Sequence, residues 1–124
     1  MREITLVFIG GGFGSLLRFF IAKWLNPLMS VFPFGTFVAN VLSSFLLGIA
    51  VGFLQGKYPD NTYIQPLIIV GICGGFSTFS TFSNETLSLF RLGNYTVGLL
   101  NILLNVVLCI FFITIGMKLT QVNQ

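Results

Sequence analysis

Apolar residues run along this chain in four long stretches, from about Ile4 to Ala22, Phe34 to Leu54, Tyr63 to Leu92 and Tyr95 to Met117. About 20 apolar residues cross the hydrocarbon core of a bilayer, so each stretch predicts a transmembrane helix. The breaks between them are short. Asn26-Pro27 and Phe32-Pro33 bound the first loop, and Gln55 to Thr62 forms a polar second loop holding Lys57, Tyr58, Pro59 and Asp60. Gly93-Asn94 predicts a tight turn, and Gln121 to Gln124 is a polar tail. The expected fold is an all-α membrane protein, one four-span domain over residues 1–124, with no internal repeat.

The third stretch is too long for one span. About thirty residues at 1.5 Å each would reach about 45 Å, beyond the roughly 30 Å core. Gly71, Gly74 and Gly75 fall near its middle, and each glycine loosens a helix by about 1 kcal/mol relative to alanine. Two half-helices meeting at these glycines account for the excess. In lipid, a broken helix survives only where protein or a water-filled cavity satisfies the freed backbone groups. The stretch is therefore either an ion or substrate site or a flexible helix packed through small residues, and the residues alone leave both readings open.

Polar side chains inside the spans are the next candidates. Phe76, Phe79 and Phe82 recur every three residues and predict one stripe on a helix, with Ser77, Ser80 and Thr81 on the opposite side. Phenyl edges carry partial positive charge and hydroxyls donate hydrogen bonds, which suits an anion; the same stripe serves ordinary packing. Thr36 and Asn40 share a helix face, and the amide either bonds another helix or donates to an anion. Arg18 either snorkels to the interface or faces an aqueous vestibule. Gly10 and Gly14 have the spacing that lets helices approach closely. Asn101 and Asn105 also share a face, with Cys109 and Thr114 further along.

Composition narrows the class. Charged residues make up 7% and apolar residues 55%, which excludes an ordinary soluble domain and a disordered chain. The net charge of +3 is dispersed, where nucleic-acid binding requires a clustered basic face. There is no histidine, and Cys73 and Cys109 lie in separate apolar segments without metal or redox spacing; they read as small core residues, not a disulfide. No small-residue cleavage site follows the first stretch, so it reads as a retained span. With four spans, Arg2, Lys57 and Lys118 fall on one side, and Lys23, Arg91 and Arg18 on or near the other. Orientation follows Lys/Arg bias, so a chain this balanced is expected to insert both ways and to form an antiparallel two-fold dimer.

Taken together, Gly10-Gly11-Gly12-x-Gly14-x-x-x-Arg18, Gly35-Thr36-x-x-x-Asn40 and Gly71-x-Cys73-Gly74-Gly75-x-Ser77-Thr78-Phe79-Ser80-Thr81-Phe82-Ser83 resemble the CrcB/Fluc fluoride-channel family over nearly the whole chain. The resemblance implies a passive channel that exports cytoplasmic fluoride across the bacterial inner membrane and relieves its toxicity, built as an antiparallel dual-topology homodimer with two pores. It implies a structural Na+ at the dimer centre, held by backbone carbonyls of Gly74 and Ser77; relatives usually carry threonine where Ser77 stands. It implies that Phe79 and Phe82 line the pore with Asn40, that Ser80 and Thr81 supply hydroxyls beside them, and that Arg18 sits near the vestibule. The fourth span departs from the pattern: Cys109 and Ile113 stand where relatives often have serine and threonine. The rival reading is a small four-span proton-coupled multidrug exporter, which needs a membrane-embedded carboxylate; Glu85 is its only candidate. A non-transporting membrane subunit is a third. Nothing in the composition provides an enzyme's acid, base or metal cluster.

Overall fold

The computed structural model describes residues 1–56 and 61–121. Lys57, Tyr58, Pro59 and Asp60 of the second loop, and the tail beyond Gln121, lie outside the described residues. Every regular element is helical. Helix α1 (Arg2–Leu25) runs into a 3₁₀ turn, Asn26–Leu28. Helix α2 (Phe34–Gly56) follows, its entry tied down by the Gly35 N–H donating to Asn26 Oδ1 at 2.8 Å. The third passage opens as a π-helix, Gln65–Cys73, continues as α3 (Gly74–Phe76), breaks, and resumes as α4 (Phe79–Arg91). Helix α5 (Tyr95–Gln121) completes the chain. Among the described residues, four passages are long and apolar enough to cross a membrane: Arg2–Leu28, Phe34–Gly56, Gln65–Arg91 and Tyr95–Thr120.

Between α4 and α5 the chain turns at Gly93, which adopts φ 79°, a left-handed conformation that costs a residue with a Cβ about 1–2 kcal/mol. The Gly93 N–H donates to Phe90 O at 3.0 Å and the Asn94 N–H to Leu89 O at 2.9 Å, so the last carbonyls of α4 are satisfied as in a glycine-terminated helix.

The glycines do not make the break. They make the helix contacts. α1 lies along the π-helix and α3, and a Cβ on Gly10 would meet Gly71 Cα at 3.0 Å, one on Gly14 would meet Phe76 N at 2.8 Å, and one on Gly75 would meet Gly11 O at 2.5 Å. Lipid tails are as apolar as leucine, so close backbone approach is a main source of helix association in a membrane. The expected break at Gly71–Gly75 is therefore corrected to Ser77 (φ −75°, ψ 156°) and Thr78 (φ −150°, ψ 117°), both extended, at the midpoint of the passage. The expected Phe76-Phe79-Phe82 stripe is corrected with it: Phe76 belongs to α3, ahead of the break, so only Phe79 and Phe82 share a helix.

On the other side, α2 packs along α5 through Gly48, whose Cβ would meet Ile113 Cα at 3.0 Å, and Gly116, whose Cβ would meet Ile49 N at 2.8 Å. The interior between these layers is rich in polar groups: Thr36, Asn40, Ser43, Ser44, Thr78, Thr86, Asn101 and Asn105 are all buried. Large apolar side chains such as Phe8, Phe13, Phe19, Leu103 and Ile110 point outward, as a lipid-facing surface requires. Cys73 is buried, Cys109 partly so, and neither forms a disulfide.

Candidate functional site

The break is held open by side chains. A continuous helix would direct the Thr78 N–H to the Gly74 carbonyl; here it donates to Asn40 Oδ1 at 2.8 Å. Asn40 Nδ2 donates back to Thr78 O at 3.4 Å. The Thr81 N–H, which a helix would direct to Ser77 O, donates instead to Thr78 Oγ1 at 3.2 Å, making Thr78 the N-cap of α4. Two consequences follow: α4 starts afresh, and the carbonyls of Gly74 and Ser77 are released from helical pairing. Arg18 takes up one of them, its Nη1 donating to Ser77 O at 3.2 Å. Just before the break, Cys73 O accepts from the Ser77 N–H at 3.0 Å, Ser77 Oγ at 3.0 Å and Ser43 Oγ at 2.9 Å.

Beside the break lies a cavity of about 260 Å³ whose lining includes Asn40, Ser44, Thr78, Phe79, Phe82 and Cys109. A second, of about 460 Å³, shares Phe79, Phe82 and Val106 with it and extends along α4 towards Ser83 and Thr86. The Phe79 and Phe82 ring centroids are 5.6 Å apart at 48°. Phe82 is buried, whereas Phe79 is 80% exposed. Ser80 and Thr81 sit on the exposed side of the first turn of α4, outside the cavity lining, with Thr78 Oγ1 donating to Thr81 Oγ1 at 3.0 Å and lying 3.4 Å from Ser80 Oγ. Gly74 is exposed, and a Cβ there would meet nothing nearer than Ile69 O at 4.0 Å.

The sequence-predicted residues are only partly brought together. Asn40, Ser77, Phe79 and Phe82 line one cavity; Arg18 reaches the Ser77 carbonyl at the break, Gly74 lies just before it, and Ser80 and Thr81 stay outside that lining. Thr36 and Asn40 share a face of α2 as expected but serve different partners, Thr36 Oγ1 donating to Glu85 Oε1 at 2.8 Å. The second carboxylate oxygen, Oε2, is buried and finds no hydrogen-bond partner among the described residues. Sequence reasoning did not assign a role to Thr78, the residue that caps α4 and engages Asn40, and noted Asn105, which accepts from Asn40 Nδ2 at 3.1 Å, only as sharing a face with Asn101. The available signal for Asn105 was its i, i+4 relation to Asn101 in an otherwise apolar span, since a polar residue at membrane depth has to find a partner.

Among the described residues no cluster of three or more His, Cys, Asp or Glu side chains is placed to hold a metal. A hard cation would instead need backbone oxygens, and at the break the Ser77 carbonyl is turned out of helical pairing, with Arg18 on one of its lone pairs.

The family model of the CrcB-like proteins (Camphor Resistance, CrcB) matches residues 5–117. The chain belongs to the CrcB family. Its sequence is 43% identical over 121 residues to a protein of Pyrococcus furiosus named fluoride-specific ion channel FluC, covering 98% of each chain. It is also 43% identical over 122 residues to the protein of the same name in Shewanella frigidimarina, covering 96% of each, and 42% identical to that of Shewanella woodyi, again over 96% of each. These relatives match nearly the whole chain, and the break and the cavity beside it lie within the matched residues 5–117. The exporter reading finds no support among them.

Proposed function

We propose that this CrcB-family chain is a passive, fluoride-selective channel of the bacterial inner membrane that lets cytoplasmic fluoride leave the cell. The observation that carries it is the break at Ser77–Thr78, midway through a membrane passage and flanked by a phenylalanine pair and hydroxyls. Irregular backbone at membrane depth is tolerated only where it is buried in protein or lines a cavity, and such breaks present ion-binding backbone groups. Fluoride accumulates because it enters as the weak acid HF and dissociates in a more alkaline cytoplasm. An inside-negative potential drives the anion out by about 2.3 kcal/mol per 100 mV.

In this reading Phe79 and Phe82 offer the positive edges of their rings and Ser80 and Thr81 their hydroxyls. Such weak donors replace hydration well enough to admit a small anion and loosely enough to release it. Arg18, drawn in to Ser77 O, places positive charge at the break and raises the local concentration of anions. Asn40 sets the path of the backbone that carries Phe79.

The working unit is an antiparallel homodimer inserted in both orientations. Ser80, Thr81, Ser83, Asn84 and Ser88 are all exposed on α4 of the single chain, and a lipid surface does not satisfy hydroxyls and amides; a second copy of the chain does. A structural Na+ at the dimer centre belongs to the same proposal. The carbonyls of Gly74 and Ser77 fit it as hard oxygen donors, being those that the break frees, and Ser77 O keeps a lone pair beside the one given to Arg18. When bound, the ion would fix the two breaks against each other. Fluoride efflux from liposomes holding the purified protein tests the function: no efflux, or chloride leaving as fast as fluoride, rejects it.

A further inference from the structure

Buried inside the helical bundle is a hydrogen-bonded chain that starts on the backbone of the break and ends on the Phe82 carbonyl of α4. The Thr78 N–H donates to Asn40 Oδ1 at 2.8 Å. Asn40 Nδ2 donates to Asn105 Oδ1 at 3.1 Å. Asn105 Nδ2 donates to Asn101 Oδ1 and to Asn101 O, both at 2.9 Å. Asn101 Nδ2 donates to Thr86 Oγ1 at 2.9 Å, and Thr86 Oγ1 donates to Phe82 O at 2.8 Å. Every link runs in one direction, so four side chains from α2, α5 and α4 connect the first residue of α4's cap to the carbonyl of Phe82. Asn101 is 1% and Asn105 5% exposed, which makes this one of the most deeply buried polar assemblies of the fold.

The direction of the chain fixes the orientation of each amide. Asn105 gives one hydrogen to the Asn101 carbonyl and the other to Asn101 Oδ1, so its own oxygen has to face Asn40. Asn40 must then present its nitrogen to Asn105 and its oxygen to the Thr78 N–H. Reversing any amide would set donor against donor. Linked bonds of this kind polarise one another, and a partly satisfied network is costly in a low-dielectric interior. Both hydrogens of Asn40 are engaged, one by Asn105 and one by Thr78 O, so Asn40 has no free N–H for an anion.

We infer that Asn105, oriented by Asn101 and Thr86, is a positioning residue for ion passage: it holds Asn40 in the one orientation that keeps the break extended, and through Thr86 it ties the register of Phe82 to that break. It acts on the path without touching the ion. The inference rests on the channel reading and deepens it by assigning to the fourth span a role that its departures at Cys109 and Ile113 do not disturb.

Unitary fluoride currents in planar bilayers, with the fraction of liposomes that empty measured alongside, test it. A structural defect lowers the fraction of active vesicles; a positioning defect lowers the current through each active channel. Asn105→Leu keeps the volume and removes the links, and its unitary current is expected to fall by about tenfold, the effect of one lost hydrogen bond, with the active fraction unchanged. Thr86→Val cuts the far end of the chain and is expected to give a smaller fall. Asn105→Asp keeps the oxygen that Asn40 bonds and is expected to recover part of the current lost in Asn105→Leu. If Asn105→Leu yields no folded protein, Thr86→Val and Asn105→Asp carry the comparison. Wild-type unitary current in every variant that folds, or a loss seen only in the active fraction, overturns the inference. A wild-type protein that carries no fluoride current overturns the channel reading instead.

Discussion

Asn40 is the side chain on which the break depends. Its amide stands in for the helical partners that Thr78 has lost, accepting from the N–H and donating to the carbonyl. Asn40→Leu leaves both backbone groups buried without that partner, at a cost of about 1–3 kcal/mol each. Loss of fluoride efflux together with a lower thermal midpoint of the purified protein is the expected outcome. The phenylalanines make a different prediction. Phe79→Leu and Phe82→Leu preserve an apolar surface but remove the ring edge, so fluoride efflux is expected to drop by about tenfold or more while the elution of the protein on size exclusion stays the same. Of the two, Phe82 is locked into the interior and Phe79 projects from it, so the Phe82 change is expected to cost more stability, read from the same melting curves. These residues were nameable through the family motif; taken alone, the phenylalanine stripe served packing as well as an anion path, and Asn40 could as well have bonded another helix. Thr78 was not singled out, because nothing in a run of alternating Ser, Thr and Phe marks which hydroxyl becomes a cap.

At the scale of elements, the third passage owes its first half to glycine and its second to hydroxyl capping. Gly75 sits against the backbone of Gly11, so Gly75→Val has to push α1 away from α3. A large fall in the yield of folded protein is expected, measured by size-exclusion chromatography in detergent. Gly93 serves only the turn between α4 and α5. Gly93→Ala is expected to lower the melting temperature modestly, since its φ of 79° costs an alanine about 1–2 kcal/mol, and to leave fluoride efflux per active channel at the wild-type level. The contrast separates a glycine needed for helix contact from one needed for backbone conformation. The length of the third stretch showed that it had to be interrupted, but its glycines pointed to the wrong residues. Glycine loosens a helix in isolation; against a second helix of small residues it makes the closest contact instead.

At the scale of the whole molecule, the balance of Lys and Arg expected on the two sides leaves orientation undecided, and α4 of the single chain exposes a polar face. Added lysines on the loops of one side are expected to force one orientation and abolish fluoride resistance in cells lacking their own exporter. Co-expression with a second version carrying the lysines on the opposite side is expected to restore growth on fluoride. Growth with one forced orientation alone would reject the antiparallel dimer. If Na+ supports the break in a dimer, replacing it with a large organic cation is expected to lower the thermal stability of the purified protein, and adding Na+ back to recover it.

The class of the protein was decided by sequence alone: four apolar stretches at bilayer length, almost without charge, admit no other solution, because lipid provides no partner for an unpaired backbone group. The sequence also required, by length alone, that the third passage be interrupted, and it set Phe79, Phe82 and Asn40 inside the spans as local signals. What the tertiary structure decided was pairing. Only the fold brings Asn40 of α2, Thr78 of the break and the Asn101–Asn105 ladder of α5 into one buried chain, and only the fold turns Arg18 onto Ser77 O. Residues as far apart as Asn40 and Asn105 meet because α2 and α5 approach through Gly48 and Gly116, and the helix on which a polar side chain will find its partner is set by packing geometry, which no spacing within a single span encodes.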